Sequence, residues 1–210
     1  AFPNRLFIIP ILSCFCYTLL LHKVISFLQK YKSSRCCSLL LLLLLLLMIL
    51  RFDMNEHYII ETRRLRFRLW NDADAEGLFK YASDPDVGPR AGWPPHKSIE
   101  ESLEVIRSFF ANDHTWALEL KENGEIVGCM GYYLCGESNI EIGENDAELG
   151  YWIAKPYWNN GLCSEALEAM IDFCFNIKGF TTLWSDFFTN NPASGRVMEK
   201  CGFQDTGEIN

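Results

Sequence analysis

The stretch 147-AELGYWIAKPYWNNGLCSEAL-167 decides how this chain is read. Residues 147–154 have the makeup of a strand, and Asn159, Asn160 and Gly161 then turn the chain sharply. Helical spacing begins at once and is expected to run from about 161 to 177. Ser164 or Glu165, Glu168, Asp172 and Asn176 make one narrow polar stripe on it, and the remainder is apolar, so the helix is expected to be mostly buried. Lys178-Gly179 should end it. The first N–H groups of such a helix lack internal partners and sit at the positive end of its dipole. An anion fits there, phosphate above all, and Gly161 would let it approach the backbone. The spacing matches neither a P-loop nor a dinucleotide-binding glycine pattern. Taken alone, the turn reads as a β–α connection that uses glycine.

Outward from this stretch, alternation marks 62-TRRLRFRLW-70 as a half-buried strand, with Leu65, Phe67 and Leu69 on one side and Arg64, Arg66 and Arg68 on the other. Residues 71–83 read as a helix capped by Asn71 or Asp72, and 84–96 as a Pro- and Gly-rich loop. Ser98 with Glu101 forms a capping box for a helix over 98–112. Strands are expected at 115–120 and 125–135, joined by a tight turn at Asn123-Gly124. A further strand is expected at 181–188 and a shorter helix at 191–203. The order β-α-α-β-β-β-α-β-α predicts an α/β domain with a mixed sheet and helices on both faces. A further strand would be expected after the last helix, so the C-terminal strands read as truncated.

The two parts of the chain differ in charge. Residues 1–53 hold Arg5, Lys23, Lys30, Lys32, Arg35 and Arg51 against Asp53 alone, so 13 bases face 26 acids from Met54 onward. That acidity repels nucleic acid and suits cationic partners, or serves only solubility. Residues 1–53 are a hydrophobic low-complexity leader, with nine leucines in a row. Two readings fit it: upstream sequence read through in frame, with Met54 the natural start, or a membrane anchor whose two apolar stretches are short for a span. Either way it is set apart from a domain over 54–210, and the membrane is a partner only if the leader is real. Cys129, Cys135, Cys163, Cys174 and Cys201 show neither a disulfide framework nor zinc spacing. A reducing, cytoplasmic setting and no metal are expected.

Together 147–167, the following strand and 191-NPASGRVMEKCGF-203 resemble the GNAT N-acetyltransferase superfamily, nearest its RimJ/RimL branch. The likeness covers about residues 57–205. It implies a GNAT-like mixed, mostly antiparallel sheet and acetyl-CoA as co-substrate. By that resemblance the pyrophosphate lies on the turn of Asn159, Asn160, Gly161, Leu162, Cys163 and Ser164. The pantetheine arm runs beside the strand near Trp152 and Ile153, and Asn191 contacts the cofactor. Cys163 stands where the family often has Gly or Ala, and Asn159 where glycine is commoner. The implied activity is direct acetyl transfer to a primary amine in a ternary complex, the acceptor being a protein N-terminal amine or a small cationic amine. The alternatives are a non-catalytic acyl-CoA-binding regulatory module and an amino-sugar antibiotic acetyltransferase.

Such a transfer needs a neutral amine, a polarised thioester carbonyl and, in many cases, a proton for the leaving thiolate. Glu148 is the candidate general base, its other reading being a solvated or ion-paired strand carboxylate. Many relatives carry a tyrosine acid in the last helix. Met198 stands there and cannot donate, so Ser194 is the nearest hydroxyl, or a helix serine bonding its own backbone. Trp93, in the 88–98 loop that lines the acceptor side by resemblance, and Tyr151 are candidate acceptor contacts.

Overall fold

The computed structural model describes residues 4–10 and 60–209. Its strands are β1 (Asn4–Pro10), β2 (Leu65–Leu69), β3 (Thr115–Leu120), β4 (Ile126–Tyr133), β5 (Asp146–Ile153), β6 (Thr182–Phe188) and β7 (Gln204–Ile209). Its helices are α1 (Ala75–Ala82), α2 (Ile99–Val105), α3 (Leu162–Phe173) and α4 (Pro192–Lys200). The sheet order is β2-β3-β4-β5-β6-β1-β7, antiparallel everywhere except between β5 and β6. Among the described residues no helix is long and apolar enough to cross a membrane.

Local chemistry explains the boundaries. Asn71 caps the turn into α1, its side chain accepting from Ala73 N–H at 3.0 Å while Asp74 accepts from Asn71 N–H at 2.9 Å. Ser98 caps α2 by accepting from Glu101 N–H at 3.2 Å. The helices expected at 98–112 and 161–177 both finish in wider turns, at Ile106–Phe110 and Cys174–Lys178, and Gly179 closes the second in the left-handed region. Arg68 bridges Asp74 at 2.8 Å and Glu119 at 2.9 Å, tying β2, β3 and the start of α1 together.

Two apolar cores sandwich the sheet. On one face Leu162, Ala166, Leu167, Met170 and Phe173 of α3, with Met198 of α4, pack on Leu149, Met130 and Leu183. The other face carries Leu78, Tyr81 and Ala82 of α1 with Ile106, Cys129 and Trp152.

Two sequence expectations change. Asn4–Pro10 was set apart with the leader, yet it forms the strand between β6 and β7, from Asn4↔Phe188 to Pro10↔Thr182 on one side and Arg5↔Ile209 to Ile8↔Gln204 on the other. Its Leu6 and Phe7 are buried, and Arg5 pairs with Asp205 at 2.9 Å. The apolar run supplies what an open strand slot needs: side chains for the core and backbone groups for two ladders. A strand also follows the last helix, as β7. The leader readings for 11–53 lie outside the described residues.

Candidate active site

Strands β5 and β6 pair only from Asp146↔Thr182 to Glu148↔Trp184, and then diverge. Ser185 bridges the widening gap, its hydroxyl donating to the Leu149 carbonyl at 2.8 Å. A cleft of about 890 Å³ opens there and meets the N-terminus of α3. Backbone direction alternates along a strand. The Leu149 carbonyl faces the gap, whereas Ala154 N–H donates to Val127 on β4 at 2.8 Å. Tyr151 and Ile153 therefore turn their backbone groups to the gap and Trp152 turns its own to β4. The Ile153 carbonyl already accepts from Trp158 Nε1 at 2.6 Å.

The turn into α3 is built from unusual backbone. Asn159 has φ 60° and Gly161 φ 73°, the left-handed region that asparagine tolerates and glycine prefers. Arg64 braces it: Nη1 donates to the Asn160 carbonyl at 2.9 Å and Nε to Glu165 at 2.7 Å. Glu165 also accepts from Thr62 Oγ1 at 2.6 Å and Arg64 N–H at 2.8 Å. Burial raises the Glu165 carboxyl, but these donors outweigh it and hold it below the usual carboxylate range. Neither Arg64 nor Glu165 was singled out from the sequence, although Arg64 stands in an alternating strand and Glu165 in the first turn of α3.

Of the expected cofactor residues, Trp152, Ile153, Asn159, Gly161, Leu162, Cys163, Ser164 and Asn191 line this cleft; Asn160 does not, and its carbonyl serves Arg64 instead. Asn191 donates to the Arg90 carbonyl at 3.1 Å, which ties the start of α4 to the loop after α1. Burial pushes the Cys163 thiol far up, so it stays protonated. Arg90, Arg196 and Lys200 supply positive charge to the same cleft.

Glu148 is 4% exposed and accepts from Ser138 Oγ at 2.7 Å and Asn139 N–H at 3.2 Å. Burial raises its carboxyl above the usual range, against the pull of the Ser138 hydrogen bond. Ser194 Oγ donates to Tyr151 Oη at 2.9 Å, and Tyr151 Oη donates to the Ser194 carbonyl at 3.3 Å. Tyr151, expected as an acceptor contact, thus turns its hydroxyl to α4. Trp93 lines the cleft and meets Trp152 edge-on, ring centroids 6.0 Å apart.

Residues 64–204 match the family profile described as the acetyltransferase (GNAT) domain, two thirds of the chain. The chain belongs to the GNAT acetyltransferase family. This GNAT protein is 31% identical over 156 residues to YoaA of Bacillus subtilis (strain 168), an uncharacterized N-acetyltransferase, covering 72% of this chain and 85% of that one. A GNAT-family acetyltransferase from Bacillus anthracis superposes with TM-score 0.60 at 24% identity, over 69% of this chain and 82% of that one. A Vibrio cholerae protein provisionally assigned as a ribosomal-protein-serine acetyltransferase gives TM-score 0.58 at 26% identity, over 69% and 82%. By homology this GNAT chain is an N-acetyltransferase, from a family that uses acetyl-CoA.

Proposed function

We propose that this chain transfers the acetyl group of acetyl-CoA directly to a primary amine, in the manner of the RimJ/RimL branch. The observation that carries this reading is the single cleft that joins the left-handed turn of α3 to the buried carboxylate of Glu148. The fit to the cofactor follows from the donor set. The first amides of α3 are free of intrahelical partners, Gly161 presents no side chain, and Arg196 and Lys200 add charge that suits phosphates. The gap beside Tyr151 and Ile153 offers backbone groups to an extended amide-bearing arm.

Acetyl-CoA would supply the activated acetyl group. Glu148 receives the proton that the attacking amine must shed, and burial raises its affinity for that proton. The Tyr151–Ser194 pair holds protons on the α3–α4 face of the same cleft, where a departing thiolate can draw on them. A cytoplasmic setting belongs to the same reading.

Calorimetric titration of acetyl-CoA into the full chain, wild type beside Gly161→Asp, tests it. A side chain is strained at φ 73° and its charge repels a pyrophosphate. Binding by the wild type and none by a folded variant is expected. Equal binding by both would place the phosphates elsewhere.

A further inference from the structure

Asp186 was not singled out from the sequence, yet it lines the cleft with Glu148, and among the described residues that line it they are the only two acids. Glu148 lies opposite Trp184 on β6, so Asp186 is two residues further on and shares its face. The strand position beside it on β5 is Gly150, whose partner on β4 is Gly131, so two adjacent positions of the floor lack side chains. A Cβ on Gly150 would come within 2.8 Å of the Tyr133 ring, which walls this hollow. Trp152 stands on the same face of β5, and Phe188 on that of β6 lies 3.0 Å from where a Gly92 Cβ would be.

Neither carboxylate has a cationic partner among the described residues. Glu148 is held by Ser138 and Asn139, and among the described residues Asp186 accepts only from Asn4 Nδ2 at 2.7 Å. A half-buried charge without a counter-ion is costly, and the open side of this pair is the cleft. The wall around them is aromatic and aliphatic, with Trp93, Phe110, Leu78 and Val87, and the other charged residues among the described lining, Arg90, Arg196 and Lys200, are positive.

We propose that Asp186 is the specificity-determining carboxylate of the acceptor site, holding an incoming ammonium beside Glu148 and favouring a monoamine with an aromatic or apolar body over a polycation. This rests on the transferase reading. One ammonium satisfies the carboxylate pair; further ammonium groups on a polyamine would find no third carboxylate among the described lining residues and would meet the Arg90 guanidinium. When Glu148 takes the amine's proton, the Asp186 charge keeps Glu148 basic, as a like charge does. The other titratable groups around them are Tyr133 and Cys129 of β4 and Tyr151 of β5, with His96 and Arg90 lining the cleft from the loop before α2.

The test is calorimetric binding of phenethylamine and of spermidine to the full chain, with and without coenzyme A, for wild type, Asp186→Asn and Asp186→Glu. Wild type should bind phenethylamine about tenfold more tightly than spermidine, and Asp186→Asn should lose about tenfold while Asp186→Glu stays near wild type. The acid limb of acetyl transfer to phenethylamine should move to lower pH in Asp186→Asn, because a negative neighbour of Glu148 is gone. Unchanged binding in Asp186→Asn, equal loss in both variants, or a preference for spermidine would overturn the proposal. Should Asp186→Asn not fold, wild-type affinity for phenethylamine must still fall as the pH is lowered and the carboxylates take up protons; a flat profile overturns it. Failure to bind coenzyme A would sink the transferase reading separately, since the amine titrations without it still report on Asp186.

Discussion

Ser194 of α4 and Tyr151 of β5 are joined by two hydrogen bonds: Ser194 Oγ donates to Tyr151 Oη at 2.9 Å, and Tyr151 Oη donates to the Ser194 carbonyl at 3.3 Å. Met198 of α4 is fully buried in the core and has no proton to give. Burial keeps Tyr151 protonated well above its ordinary range. If Tyr151 turns its proton to Ser194 Oγ, the serine proton is released toward the cleft. Tyr151→Phe should therefore lower kcat by roughly ten- to a hundredfold with little change in the KM for acetyl-CoA. Ser194→Ala should do the same, and the double variant should be no worse than either single, as for groups that act as a unit. An unchanged kcat in Tyr151→Phe would reduce the pair to a packing contact.

Glu148 couples stability to pH in the direction opposite to a surface carboxylate. Its folded pKa is raised by burial, so the folded chain binds protons more readily than the unfolded one above the ordinary Glu range. The stability it contributes is present below the unfolded pKa and is lost as pH rises through the folded value. Glu148→Gln should raise the melting temperature at pH 8 and have little effect at pH 4, while removing most acetyl transfer. Thermal melts at the two pH values decide this, and a variant destabilised at pH 8 would refute it.

Arg64 and Glu165 act in the other direction. The Glu165 carboxyl is held low by Thr62 and Arg64 despite its burial. Its contribution is therefore present above the unfolded Glu value and is lost as pH falls through the lower folded one. Glu165→Gln should cost about 1–2 kcal/mol at pH 7, from charge-assisted bonds lost at a partly exposed site. The gap to wild type should close as pH falls below the ordinary Glu range. The same variant frees Arg64, which braces Asn160, so acetyl-CoA affinity should weaken as well. Denaturant titrations at two pH values, with calorimetry, check both effects.

Much of this was legible because local rules agree with tertiary ones. Alternation in 62–70, the caps at Asn71 and Ser98, and the glycine turn at 161 each point to one geometry, and the sheet uses all of them. What escaped was set by pairing across the chain. Nothing in 181-TTLWSDFF-188 shows that Asp186 rather than a neighbour meets a glycine floor, because that depends on register with β5. In the sequence Arg64 is one of three arginines on the side of an alternating strand opposite its apolar residues, and only the position of α3 makes it a brace. Residues 4–10 carry no alternation, and they continue into apolar sequence that obscures them.

That last strand makes the sharpest prediction about stability. Phe7 is 2% exposed and its ring lies 5.6 Å from that of Phe187, while the backbone around it serves ladders to both β6 and β7. Truncating a buried phenylalanine costs about 3–5 kcal/mol, from lost transfer energy and the cavity left behind. Phe7→Ala should therefore lower the denaturant midpoint of the full chain without altering the slope. Deleting residues 4–10 should do more, leaving the facing edges of β6 and β7 unpaired and prone to association. Asn4 leaves with the strand, so the deletion should also release Asp186 and weaken amine binding while the turn at Gly161 keeps its geometry. A deletion variant as stable and as monomeric as the full chain would show that β6 and β7 do not need this strand in solution.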